Sequence, residues 1–385
     1  MQQQIDRSAA DDGRMTRRSA LVHLLTLSAA SLAICLLLIE GVLRLLPVSS
    51  GLRSLPVNAE NPVFHFTPNQ PFVHSLGWDM HNVVRGRVNN AGWVNDQDYV
   101  RENPLPLLAV VGDSYIEAQQ VPYVDSMHGG LARALEGRLR VYSFAAAGAP
   151  LSQYLIWAGH AVRAWGAKGV VINIVGNDFD ESHASYKTGP GFWLYFPDAS
   201  GQLHLRLNEY RPGMIISLAR HSALARYVII NLRLHELIFR VKSLAELIFG
   251  GPAAAASPYA GNTAAPADAA RLHASLAVID AFFRDLPSIV DLPRNRVLFT
   301  LDGFRYPDAV KAGAGSYFDL MRQRFREKAQ ALGYATIDLD EVFVPRHRRT
   351  GERFEFADDG HWNASGHAVA AEAVTSSTLL GQLLH

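Results

Sequence analysis

The chain holds a single cysteine among 385 residues, and Cys35 lies inside an apolar N-terminal stretch. The part that folds in water therefore cannot be crosslinked by a disulfide, whatever its compartment, and no Cys/His spacing of the zinc kind is present. Charge of either sign is not in excess: Lys plus Arg number 36, and so do Asp plus Glu. No global field draws the chain to nucleic acid or another polyanion. A phosphate loop is missing, and Gly313-Ala314-Gly315 has neither the preceding strand nor the completing glycine of a dinucleotide loop. The composition is nevertheless that of a globular protein, 49% apolar, with nothing that argues disorder.

One long hydrophobic run is present. From Ala20 to Ile39 the chain is broken only by His23 and small hydroxyl residues, and this is about the length that crosses a hydrocarbon core. Arg14, Arg17 and Arg18 precede it. By the positive-inside tendency residues 1–18 are expected in the cytoplasm, 19–46 as a single-pass anchor in the cytoplasmic membrane, and the remainder outside, in the periplasm. A cleaved signal peptide is the competing reading. Against it, apolar residues continue past Ser28-Ala29-Ala30-Ser31 through Leu36, Leu37, Leu38, Val42 and Leu43.

Residues 47–106 are rich in proline, asparagine and aromatics, with an extended stretch at 83–88 and a turn at Asn90-Ala91-Gly92. They read as a connector that lays a hairpin on the main domain. From 107 to the end, apolar runs at 107–111, 139–144, 170–175, 296–301 and 335–339 alternate with helical patterns at 126–135, 151–165 and 317–332. Strands apolar on both faces and separated by helices predict a five-stranded parallel sheet in an α/β, three-layer α/β/α sandwich of the flavodoxin kind. The site is then expected beyond the carboxyl ends of the strands.

The pattern is interrupted at about 182–270. Ile230, Leu234, Leu237, Val241, Leu244 and Ile248 follow helical spacing, while Arg226, Arg233 and Arg240 recur every seven residues on another face. Such a helix either packs on the sandwich with a solvated basic side, the reading favoured here, or lies on an anionic membrane surface. The Ala/Pro/Gly stretch 251–270 has no periodicity and reads as a flexible loop.

The first strand of the sandwich ends in Gly112-Asp113-Ser114 and turns at once into a helical pattern. A hydroxyl at such a bend is lifted above the sheet edge beside backbone N–H groups, as a nucleophile requires, although a serine there is also an ordinary helix cap. A nucleophilic reading needs a base, a group to orient it and oxyanion donors. Gly148 after the second strand and Gly176-Asn177-Asp178 after the third emerge at the same edge; a glycine lets its N–H approach a substrate, and an asparagine amide can donate. Near the C-terminus, Asp358-Asp359-Gly360-His361 can deliver an imidazole held by a carboxylate, and the spacing leaves both aspartates within reach. An α/β-hydrolase elbow fits less well, because Ile116 stands where the second glycine of Gly-x-Ser-x-Gly belongs.

As a set, these four blocks resemble the SGNH, or GDSL-like, hydrolase superfamily, over roughly 107–180 and 272–384. The resemblance implies Ser114 as nucleophile and His361 as base. It implies Asp359 or Asp358 as the orienter, and an oxyanion hole from the N–H groups of Ser114 and Gly148 with the side chain of Asn177. Glycine directly before Asn177 departs from the usual Gly-x-Asn-Asp. No metal or organic cofactor is implied. The expected activity is a serine esterase acting on small acyl esters, acetyl among them, carried by a cell-surface glycan or other acceptor. The alternatives are an O-acyltransferase using the same site, and an inactive glycan-binding or assembly protein.

Overall fold

A computed structural model describes residues 2–187, 190–234, 268–357 and 359–384. A long helix, α1 (Gln2–Leu45), leads to an antiparallel hairpin of β1 (Gln70–Leu76) and β2 (His81–Val88). Then follow β3 (Leu107–Gly112), α2 (Ser114–Glu117), α3 (Met127–Ala134), β4 (Arg140–Ala145), α4 (Leu151–Trp165), β5 (Ala167–Ile174) and α5 (Asp178–Glu181). A second hairpin, β6 (Trp193–Pro197) and β7 (Leu203–Leu207), precedes the short helices α6 (Met214–Ala219) and α7 (Ala223–Arg226). The sandwich resumes with a helix at Ala269–Val290, β8 (Val297–Leu301), a helix at Tyr317–Ala331, β9 (Ala335–Asp338) and a helix at Ala364–Thr375.

The five sandwich strands form one parallel sheet in the order β4-β3-β5-β8-β9. Successive side chains of a strand point to opposite faces. In β3, Leu107, Ala109 and Val111 accordingly enter one core, with Trp157 of α4, Phe282 and Phe325, while Leu108 and Val110 enter the other, with Leu131 of α3, Val369 and Leu380. Both faces are covered, so every residue of β3 is buried, each large aliphatic contributing about 1.5–3 kcal/mol. The fold is the three-layer α/β/α sandwich with flavodoxin-like strand order, as the apolar runs predicted.

Two elements differ from the sequence reading. The hairpin needs β1 as well as the extended stretch at 83–88, and β1 was obscured because Pro71 and a buried run from His74 to Leu76 replace alternation. The hairpin β6–β7 was missed although Leu203-His204-Leu205-Arg206-Leu207 alternates, its turn closed by Asp198 Oδ1 accepting the N–H groups of Ser200 and Gln202. Of the amphipathic stretch, Ile230 falls in a π-helical turn at Tyr227–Asn231; its positions from Leu237 onward, Arg240, and the Ala/Pro/Gly stretch up to 267 lie outside the described residues.

Candidate active site

The carboxyl ends of β3, β4, β5 and β8 carry the residues of interest. Directly after β3, Asp113 caps α2 by accepting the Tyr115 N–H at 3.0 Å, and Ser114 opens the helix, half-buried. His361 Nε2 lies 2.8 Å from Ser114 Oγ, and His361 Nδ1 lies 2.5 Å from Asp359 Oδ1. With the carboxylate holding Nδ1–H, Nε2 is left as acceptor for the serine hydroxyl. Asp358 lies outside the described residues.

Burial alone would push the His361 imidazole down. The hydrogen bond and charge of Asp359, with the charge of Asp113, outweigh it and set the pKa above the ordinary 6.5. For Asp359, burial acts upward, but His361 prevails and holds the carboxylate below its usual range. Asp113 is pushed up to about 6 and Glu117 up to about 7, both chiefly by burial.

Glu117 at the end of α2 accepts the Ala147 N–H at 2.6 Å, which ties the helix that Ser114 opens to the loop that carries Gly148. Gly148 has φ +73°, the left-handed region that favours glycine. After β5, Asp178 accepts the Val175 N–H and the Tyr154 hydroxyl, each at 2.7 Å, and so sets the turn in which Asn177 stands. The departure at Gly176 has a steric reason: a Cβ there would come within 2.4 Å of the Phe318 ring. Asn177 Nδ2 donates to Glu181 Oε1 at 3.0 Å, and Lys187 Nζ bonds both Glu181 and the Gly148 carbonyl. An amide has two N–H donors, so one bond to Glu181 leaves a second donor for a substrate.

The histidine loop is held by residues that sequence reasoning missed. Tyr115 Oη and Arg305 Nη1 each donate to the Gly360 carbonyl at 2.9 Å. Arg305 Nη2 lies 3.1 Å from Asp302 Oδ2, and Trp362 Nε1 donates to Asp302 Oδ1 at 2.9 Å. Asp302-Gly303-Phe304-Arg305 directly follows β8 at the same sheet edge, which was the available signal. Among the described residues no group of three or more His, Cys, Asp or Glu could hold a metal ion.

No family model and no curated protein matches the chain. Solved structures do. A member of the lipolytic protein G-D-S-L family from Veillonella parvula is 11% identical over 71% of this chain and 97% of its own, with a TM-score of 0.33. The acetyl xylan esterase AlAXEase is 12% identical over 71% of this chain and 99% of its own, at 0.38. A carbohydrate acetylesterase family member from Sinorhizobium meliloti is 10% identical over 73% and 99%, at 0.34. The four blocks are placed by this chain's own strand order and by the elements that carry them. The serine, glycine, asparagine and histidine positions follow β3, follow β4, follow β5 and precede the last long helix of the sandwich.

Proposed function

We propose that the protein is an SGNH-type serine esterase that cleaves small acyl esters, acetyl esters of a cell-surface glycan foremost. The observation that carries this reading is the continuous chain from Ser114 Oγ through His361 to Asp359, at 2.8 and 2.5 Å. His361 takes the proton of Ser114 as the oxygen attacks the ester carbonyl. The oxyanion is held by the Ser114 and Gly148 N–H groups and the free N–H of Asn177. The imidazolium returns its proton to the departing alkoxide, which leaves an acyl-enzyme. Water, activated by the same imidazole, then releases the acid. If a bound sugar hydroxyl replaced water, the same residues would transfer the acyl group.

In this reading α1 is an uncleaved anchor, residues 1–18 are cytoplasmic, 47–106 connect, and the sandwich works in the periplasm. Its segment Ser19–Leu45 is 27 residues long and apolar enough to cross a membrane. The test is labelling by a fluorophosphonate probe together with aryl-ester turnover. Wild type should give both, and Ser114→Ala neither, with the thermal midpoint little changed. Labelling that survives the substitution would remove Ser114 from the mechanism.

A further inference from the structure

The end of α1 is bound to the rest of the protein at a defined height. Twenty helical residues rise about 30 Å, the thickness of a bilayer's hydrocarbon. A span beginning at Ser19 therefore reaches its far boundary near Ile39, and Glu40 follows immediately. Glu40 accepts hydrogen bonds from Ser222 Oγ, the Ala223 N–H and the Leu224 N–H at 2.8, 3.0 and 2.9 Å, at the start of α7. Arg44 donates to the His221 carbonyl at 3.1 Å, and Leu43 packs with Met80 and Ala223. The segment around α7 is thus fixed within a turn or two of helix of the bilayer edge.

The first hairpin belongs to the same unit. Tyr227 Oη donates to the Trp78 carbonyl at 2.8 Å, the Gly77 N–H to the Asn231 carbonyl at 3.2 Å, and Asn231 Nδ2 to Ser75 Oγ at 2.8 Å. On this unit Trp78 is 77% exposed, Met214 78% and Leu218 66%. Large apolar side chains presented to solvent in this way mark interaction sites, and tryptophan is a residue that membrane interfaces favour. Arg220 on the same unit suits an anionic headgroup, while Arg44 is engaged by Glu40 at 2.8 Å and by the His221 carbonyl.

We propose that α6, α7 and the β1–β2 turn form a surface that rests in the headgroup layer of the bilayer crossed by α1, on the C-terminal side of the span. The occupant is the lipid itself. This rests on the anchor reading above, and it adds a fixed orientation to a tether. The hairpin lies against the end of α2, the helix that Ser114 opens: Phe72, Val84 and Gly86 line one small cavity with Glu117 and Ala118. The hairpin would then set the distance between lipid and Ser114.

The test uses the full chain in vesicles of phosphatidylethanolamine and phosphatidylglycerol, with an environment-sensitive fluorophore on one cysteine at a time. The native Cys35 reports the anchor. In a Cys35→Ser background, Trp78→Cys and Leu218→Cys report the surface, and Glu136→Cys, exposed before β4 at the opposite edge of the sheet, is the control. The expected result is a blue shift and quenching by headgroup nitroxides at 78 and 218, with neither at 136. If 78 and 218 behave like 136 while the Cys35 label is quenched by acyl-chain nitroxides, the anchor stands and the proposed surface is wrong. Shielding of 78 and 218 from both aqueous iodide and lipid nitroxides would mean that protein covers them, and would also overturn it. An unquenched Cys35 label would remove the anchor reading and the surface together.

Discussion

His361 is held between burial, which favours the neutral ring, and Asp359, which favours the charged one, and the carboxylate prevails. Only the neutral ring can take the Ser114 proton. A raised pKa therefore means that the active form is lost as pH falls, and kcat/KM on an aryl ester should decline on the acid side with an apparent pKa above 6.5. Asp359→Asn removes the charge. It should lower kcat at pH 7 by at least about 10², less than the roughly 10⁴ of a protease triad because backbone carbonyls can partly replace the carboxylate, and should move the acid limb to lower pH. Asp358→Asn should stay within about tenfold of wild type. Steady-state rates across the pH range check both, and the reverse order would hand the role to Asp358. For Asn177→Ala the lost donor acts on the transition state, so kcat should fall by roughly 10²–10³ with KM nearly constant. A rise in KM alone would make Asn177 a ground-state contact.

The loop that delivers His361 is positioned from two elements, α2 through Tyr115 and the segment after β8 through Asp302 and Arg305. The two contacts on Gly360 are not equivalent. Tyr115→Phe removes the bond to Gly360 and the one accepted from Arg305 Nη2, while Arg305 still holds the carbonyl, so stability should fall by about 2 kcal/mol. Arg305→Met leaves Asp302 buried without its guanidinium, a loss of about 3–5 kcal/mol. Urea unfolding of the two variants measures the difference, and equal small losses would mean that the loop is held elsewhere. Both ties were hidden in the sequence, since Tyr115 and Arg305 are 190 residues apart and neither has a local pattern that marks a contact. The β3 turn was legible because an apolar run, a glycine and a helix start stand together. The same is true of the turn after β5, although the need for glycine at 176 comes from Phe318, far along the chain.

At the scale of the whole molecule, the parts are linked end to end: α1 to α7 through Glu40, α7 and its π-helical continuation to the first hairpin, and the hairpin to the end of α2. An uncleaved α1 should keep the protein with membranes after high-salt washing, and a reporter fused after Leu384 should be active only if it works outside the cytoplasm. Release into the soluble fraction at a mass lacking the first thirty or so residues would instead identify a signal sequence of ordinary length.

Local and periodic features were determined by the sequence itself: an apolar run long enough to span a bilayer, strands apolar on both faces, and four short blocks, each at a strand end or just before a helix start. Each depends on neighbours within a few residues, or on a repeat of two or 3.6 that a linear reading can see. Tertiary structure alone decided what depends on distance in space. It brought His361 to within 2.8 Å of Ser114 across 247 residues, placed Asp359 on Nδ1, and engaged one N–H of Asn177 with Glu181. It also set Glu40 of an apolar helix against α7. The physical reason is the same in each case: a hydrogen bond between remote side chains is chosen by the packing that carries them, and side-chain identity by itself does not name the partner.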